Sequence, residues 1–251
     1  MPSLPTVLVS GAGVAGLATT WWLRHFGFPV TVVEKAPLLR DGGHAVDIRG
    51  VALDVVKAMG LHDALQAQRT QLRGLCMLDR QGEPVSVDDS RTFSGGRLDS
   101  PDIEVFRDTL CRLLADAAGA RQDICHDEHI TALSPTTNGM TVSFARQLSR
   151  TYDVVIGADG VYSSVRRQAV HAGDDCLVPL GGALAFYSAP DSLALDGREG
   201  MYRDAELGVV VYPDASGREL RVGAGFGAEV DARLRHDVAA QKALTLAKLR
   251  G

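Results

Sequence analysis

The sequence predicts an α/β fold, a Rossmann-like nucleotide domain with a β-sheet layer inserted into it. Three observations carry that reading. Residues 7–16 read V-L-V-S-G-A-G-V-A-G, an apolar strand running into Gly11-x-Gly13-x-x-Gly16, with a helix-like stretch and a second apolar strand ending in Glu34 after it. That order is a βαβ dinucleotide unit. The run Tyr152–Ile156 followed by G-A-D-G-V-Y-S-S-V-R, residues 157–166, is a second strand–turn–helix of the same kind. Between and after these two lie β-rich segments, so the sheet is not one uninterrupted doubly wound array.

In the first unit, a strand is expected over 5–10, a helix over 14–26 and a strand over 29–34, with Gly27 closing the helix. Gly11 permits the tight turn, Gly13 lets backbone N–H groups approach a pyrophosphate, and Gly16 lets the helix pack closely on the sheet. The helix N-terminus adds partial positive charge. Glu34 can accept hydrogen bonds from both hydroxyls of an adenosine ribose, and it would repel a 2′-phosphate. Trp21 and Trp22 are adjacent on the helix, about 100° apart, and read as packing residues.

The stretch from Arg40 to Gly50 holds Gly42-Gly43 and Asp47 and reads as a loop passing close to something flat or tight. Residues 51–67 are helical, broken at Gly60. A hairpin is expected over 73–88, turning at Arg80–Glu83, then an irregular segment to Asp99. Ser100-Pro101 has the signature of an N-cap and first helical residue, with Ile103, Phe106, Leu110, Leu113, Leu114 and Ala117 in helical period and Gly119 as the stop. Short strands follow near 121–125, 129–134 and 140–146. After residue 170 the reading is a strand at 181–188, a hairpin at 207–213 and 219–226 joined by Asp214–Gly217, and a helical tail over 230–250.

Composition narrows the class. The chain has 251 residues, 45% hydrophobic and 23% charged, with net charge −5. That is the balance of a globular protein, with no basic excess for nucleic acid and no anionic-membrane footprint. No apolar run reaches the ~18 residues that span a bilayer, and the first six residues carry no Lys or Arg for a signal peptide. A cytoplasmic enzyme is the expectation. Cys76, Cys111, Cys125 and Cys176 form no C-x-x-C. The pair His126 and His129 is spaced i, i+3 rather than the i, i+4 of a zinc helix, so no metal is expected.

Three motifs stand in order: the glycine fingerprint with Glu34, Arg107 in R-D-T-L-C-R-L-L, and V-I-G-A-D-G-V-Y-S-S-V-R over 155–166. Together they resemble the class A flavoprotein monooxygenases of the p-hydroxybenzoate hydroxylase fold, over roughly residues 5 to 230. Gly42-Gly43 followed by Asp47 is most similar to antibiotic-modifying members, tetracycline-inactivating oxygenases among them. The resemblance implies FAD as cofactor and NAD(P)H as reductant, with O₂ and an aromatic or polyketide-like small molecule as substrates. It implies that Glu34 holds the adenosine ribose, that Arg107 reaches the cofactor from its helix, and that Asp159 and Gly160 lie at the pyrophosphate. Arg166 would brace that turn, and the loop with Asp47 would border the flavin. No catalytic side chain is assigned, since the flavin supplies the chemistry. Phe186, Tyr187, Val211 and Phe226 are candidate pocket residues.

The resemblance divides the chain into FAD-binding parts at 1–72 and 100–170, a β insertion at 73–99, a substrate-domain sheet at 171–228 and a tail at 229–251. The family's later G-D motif is not found from Gly181 onward. The expectation is a truncated product or an unusual short protein holding the adenosine half of the FAD site. An apolar face left uncovered in that way would favour self-association. Two other readings stay open: an alkene-reducing flavoenzyme of the same superfamily and a non-catalytic nucleotide-binding remnant.

Overall fold

A computed structural model describes residues 4–40, 42–93, 95–170, 176–214, 218–229, 234 and 237–250. The chain forms two compact units, one of residues 1–41, 54–67 and 107–178, the other of 42–53, 68–106 and 179–251. No helix among the described residues is long and apolar enough to cross a membrane.

The first unit centres on a parallel sheet. Its strands are β1 (Val7–Ser10), β2 (Val30–Glu34), β9 (Ile124–His126) and β13 (Val154–Gly157), in the order β13-β1-β2-β9. Val7, Leu8 and Val9 are buried on both faces, as an unbroken apolar run in a central parallel strand must be. Burying a side chain such as Leu8 contributes about 1.5–3 kcal/mol. Helix α1 (Val14–His25) packs Leu17 and Thr20 inward, and α4 (Arg107–Ala117) lies beside it. Arg24 joins the two by donating to the carbonyls of Ala118 and Gly119. Trp21 and Trp22 are half-buried rather than core, and they build a ring cluster with His25 and Phe26.

On the other sheet face, Leu8 and Val33 pack against Ile130, Val142 and Tyr152. These last belong to a meander of β10 (Ile130–Thr136), β11 (Gly139–Phe144) and β12 (Arg150–Tyr152). The run expected as one buried strand from Tyr152 is thus two strands. The break is Asp153, whose carboxylate accepts from the backbone N–H and hydroxyl of Thr6. β13 is the sheet edge, and Val154 is 43% exposed.

The expected helix start at Ser100 is corrected. Residues Ile103–Phe106 form β8, paired antiparallel with β3 (Ala45–Ile48), which occupies the stretch read as a loop. Ile103 and Val105 are fully buried there. Burial of two β-branched residues on a partner strand outweighs a local cap, and the Ser100 hydroxyl instead accepts from the Asp102 N–H in a turn. The helix therefore opens at Arg107. Gly119, at φ 60°, stands two residues past its end as expected.

The second unit is built on β4 (Leu75–Leu78), β5 (Pro84–Asp88), β14 (Gly182–Pro190), β15 (Glu199–Arg203), β16 (Leu207–Pro213) and β17 (Glu219–Gly227), in the order β14-β17-β16-β15-β4-β5. Both expected hairpins are present, β4–β5 and β16–β17. Residues 215–217 of the second turn lie outside the described residues, as do 230–233 and 235–236 of the expected tail. β15 was not expected. It pairs in parallel with β4 and so joins segments far apart in sequence. The core comprises Cys76, Leu78, Leu195, Val211, Leu220 and Val222. The tail forms α6 (Val238–Arg250), none of whose residues is buried. Between β5 and β8, residues 91–92 and 96–97 form a short antiparallel pair.

Candidate functional site

The carboxyl ends of β1, β2 and β13 point the same way, which is where open parallel sheets bind ligands. β1 ends at Ser10 and the chain turns at Gly11, at φ 108°. A Cβ on Gly11 would collide with the carbonyl oxygen of Ala158, and one on Gly16 would run into the carbonyl oxygen of Gly11. The absence of both side chains lets the first loop, α1 and the 155–166 motif close on one another. Gly13 differs: a Cβ there would meet nothing within 4 Å. It stands at the N-cap of α1 without a side-chain cap, and the first turn carries no acid. The exposed turn at Val14 and Ala15 therefore offers open N–H donors and the positive end of the helix dipole, an anion site.

Glu34 closes the far side. Its Oε2 accepts from the Ala12 N–H at 2.8 Å and its Oε1 from the Ala36 N–H at 2.9 Å. A carboxylate has about four acceptor positions, so the group is oriented and still able to accept from a ribose. Arg107 is half-buried, and its guanidinium has no hydrogen bond or ion pair among the described residues. One turn along α4, burial pushes the Cys111 thiol up; Arg107 draws it back, while Asp108 and Glu34 add to the rise. Glu34, Cys111 and Arg107 therefore share one locality.

Asp159 holds its own turn. It accepts from the Ser163 hydroxyl at 2.5 Å, the Ser164 N–H at 2.8 Å, the Ser164 hydroxyl at 2.9 Å and the Val165 N–H at 3.3 Å. Burial alone would raise this carboxyl, but those hydrogen bonds hold it below its ordinary range. Ser163 in turn caps α5 (Ser164–Ala169) by accepting from the Arg166 N–H. Gly160, at φ 81°, leaves the space at its Cβ position open. Arg166 donates to the Val161 carbonyl and braces the turn as expected.

Gly11, Gly13, Gly16, Glu34, Arg107, Asp159 and Gly160 all lie in the first unit, whereas Asp47 lies in the second. On β3, Asp47 is the cross-strand partner of Glu104 and pairs with Arg49 at 2.7 Å. Its Oδ1 is buried and has no hydrogen-bond partner among the described residues. Burial raises its pKa; Arg49 opposes the rise and Glu104 adds to it.

The four candidate pocket residues separate. Val211 and Phe226 are buried in the second unit, and Tyr187 shares their sheet face through its pairing with Val222. Phe186 is on the opposite face, where a Cβ on Gly223 would meet its ring at 3.1 Å. His44 stacks on it with centroids 4.6 Å apart, and Arg221 lies 3.9 Å over Phe106. Glycine alternation in β17, with Val222, Ala224 and Phe226 between Gly223 and Gly225, was the sequence signal for a bare sheet face.

The H-D-E-H stretch has other work. Glu128 is buried and accepts from the N–H groups of His129, Ala145, Arg146 and Gln147, and His126 Nδ1 donates to the Ala36 carbonyl. No cluster of three metal-ligating side chains occurs among the described residues.

A family profile described as FAD binding domain matches residues 5–181. The chain belongs to the FAD binding domain family. An uncharacterized protein of Mycobacterium tuberculosis is 38% identical over 234 residues, which are 93% of this chain and 62% of that protein. A flavin-dependent monooxygenase of an unknown prokaryotic organism is 33% identical over 244 residues, 96% of this chain and 62% of the relative. The crystal structure of tetracycline destructase Tet(51) superposes with a TM-score of 0.80 at 29% identity, covering 97% of this chain and 62% of the other. The chain thus spans 62% of the length of these relatives. The resemblance to class A FAD monooxygenases holds, and FAD is the cofactor of the family. The site fits it: a side-chain-free approach at Gly13, an oriented acid at Glu34 and a cation at Arg107 with no ion pair among the described residues suit a pyrophosphate flanked by a ribose.

Proposed function

We propose that this chain supplies the adenosine- and pyrophosphate-binding part, and a substrate-facing sheet, of a flavin-dependent monooxygenase that hydroxylates an aromatic or polyketide-like small molecule. The observation that carries the reading is the close approach of Gly11 to Ala158, which joins the glycine fingerprint to the 155–166 motif in one cradle. Bound FAD would bring dioxygen activation, with NAD(P)H as electron source and O₂ as co-substrate. The protein's part is to bind and to aim. The α1 N-terminus takes the pyrophosphate, Glu34 takes the ribose, and Arg107 neutralises phosphate charge. Asp159 and Gly160 shape the backbone against which the pyrophosphate lies. In the second unit, Phe186, His44 and the glycine floor of β17 offer a flat surface suited to an aromatic ring.

The test is anaerobic and aerobic turnover of the chain reconstituted with FAD. NAD(P)H oxidation stimulated by a polycyclic phenol such as tetracycline, with equimolar O₂ uptake and a product heavier by one oxygen atom, supports the proposal. Substrate-dependent NAD(P)H oxidation that proceeds equally without O₂ overturns it in favour of alkene reduction. FAD binding with no NAD(P)H oxidation leaves only the nucleotide-binding reading.

A further inference from the structure

The parallel pairing of β2 and β9 makes Glu34 and His126 direct partners at the carboxyl edge of the sheet. Partners in register project to the same face, and successive residues alternate. Val33 and Cys125, the preceding pair, project into the core shared with the meander. Glu34 and His126 therefore stand together on the opposite face, where Cys111 of α4 feels the Glu34 charge.

Both are held by one residue. The Ala36 N–H donates to Glu34 Oε1 at 2.9 Å, and the Ala36 carbonyl accepts from His126 Nδ1 at 3.2 Å. The same carbonyl accepts from the Asp127 N–H at 3.0 Å. A carbonyl oxygen only accepts, so Nδ1 carries the hydrogen. In the neutral ring, Nε2 then presents a lone pair. The ring is half-buried, neither sunk in the core nor free in solvent. A fixed acceptor stands beside the acid that faces the ribose.

We propose that His126 is a second side chain for the adenosine moiety of FAD, its Nε2 accepting a hydrogen bond from an adenosine donor while Glu34 accepts from the ribose. This rests on the FAD-binding reading of the first unit.

The experiment is titration of the 251-residue chain with ADP, followed by calorimetry. The wild type is compared with His126→Asn, whose amide nitrogen replaces Nδ1 and keeps the bond to Ala36 while the ring edge is lost. Loss of one neutral hydrogen bond should weaken the Kd roughly two- to thirteenfold, with an unchanged thermal midpoint. Histidine-labelled NMR on the wild type supplies a readout that needs no variant. The His126 ring resonances should shift with ADP and not with flavin mononucleotide, which has no adenosine. Wild-type affinity in His126→Asn, an affinity loss that only tracks a lowered thermal midpoint, or ring resonances that ignore ADP would each overturn the proposal and leave FAD binding standing. A wild-type chain that binds neither ADP nor FAD overturns the FAD reading with it.

Discussion

Glu34 and Asp47 are both acids near the ends of strands, and their surroundings set them to opposite uses. Glu34 is held by two backbone N–H groups, which leaves it acceptor capacity for the proposed ribose contact. Glu34→Ala should therefore weaken FAD binding tenfold or more, since each charge-assisted bond contributes roughly 1.5–3 kcal/mol. Fluorescence titration checks this, and equal affinities would remove Glu34 from the site. Among the described residues, Asp47 pairs with Arg49, keeps one buried oxygen without a partner and faces a second acid across the ribbon. Its pKa is raised above the ordinary 3.8, so the fold favours the neutral form. Ionisation then costs stability as pH rises from that ordinary value through the raised one. Asp47→Asn should resist urea better than wild type at pH 7, and the advantage should vanish below pH 3.8, where both are neutral. An advantage that grows toward acid would contradict this sign.

At the scale of elements, the glycines of the fingerprint divide into closely packed members, Gly11 and Gly16, and an open one, Gly13. Gly16→Ala places a methyl on the Gly11 carbonyl, so the α1–β1 junction must open. Overpacking of this kind costs about 1–3 kcal/mol, read as a lowered denaturation midpoint. Gly13→Ala meets no atom within 4 Å and should leave the midpoint alone while weakening FAD binding. Equal stability losses in the two variants would show that the loop has no open side. Asp159 belongs to its element in the same sense. Its carboxyl is held low by four donors, so the stability it adds is present above its ordinary pKa of 3.8 and is lost as pH falls below it. Asp159→Ala should cost about 1–2 kcal/mol, typical of a lost cap, and that difference should shrink in acid when urea midpoints are compared across pH.

At the scale of the whole molecule, the described residues include one core around Leu8 and Val33 in the first unit and another around Val211 and Val222 in the second. A nucleotide bound by the first unit should stabilise it by mass action, about 2.7 kcal/mol at a hundredfold excess over Kd. Hydrogen exchange with ADP should then slow the amides of β1 and β2 while leaving those of β16 and β17 as they were. Protection spread evenly over both units would place the nucleotide elsewhere.

Local chemistry made much of this legible without coordinates. The strand–glycine–helix–strand–acid order of residues 7–34 is a contiguous unit, so its period, its turn residues and its spacing all lie within one stretch of chain. The same holds for the β4–β5 and β16–β17 hairpins, whose partners are neighbours in sequence. What only the tertiary structure decided are the pairings between distant segments. Ile103–Phe106 carries a helix-start signature and becomes a strand because β3, far upstream, buries Ile103 and Val105. β15 exists as a strand between β16 and β4, and Phe186 parts from Val211 and Phe226 because sheet register alternates faces. His126 read as one of a histidine pair until strand register placed it beside Glu34. Propensity and periodicity act over a few residues, whereas burial on a partner strand depends on which distant segment arrives. That is why the cradle could be read from the chain and its neighbours could not.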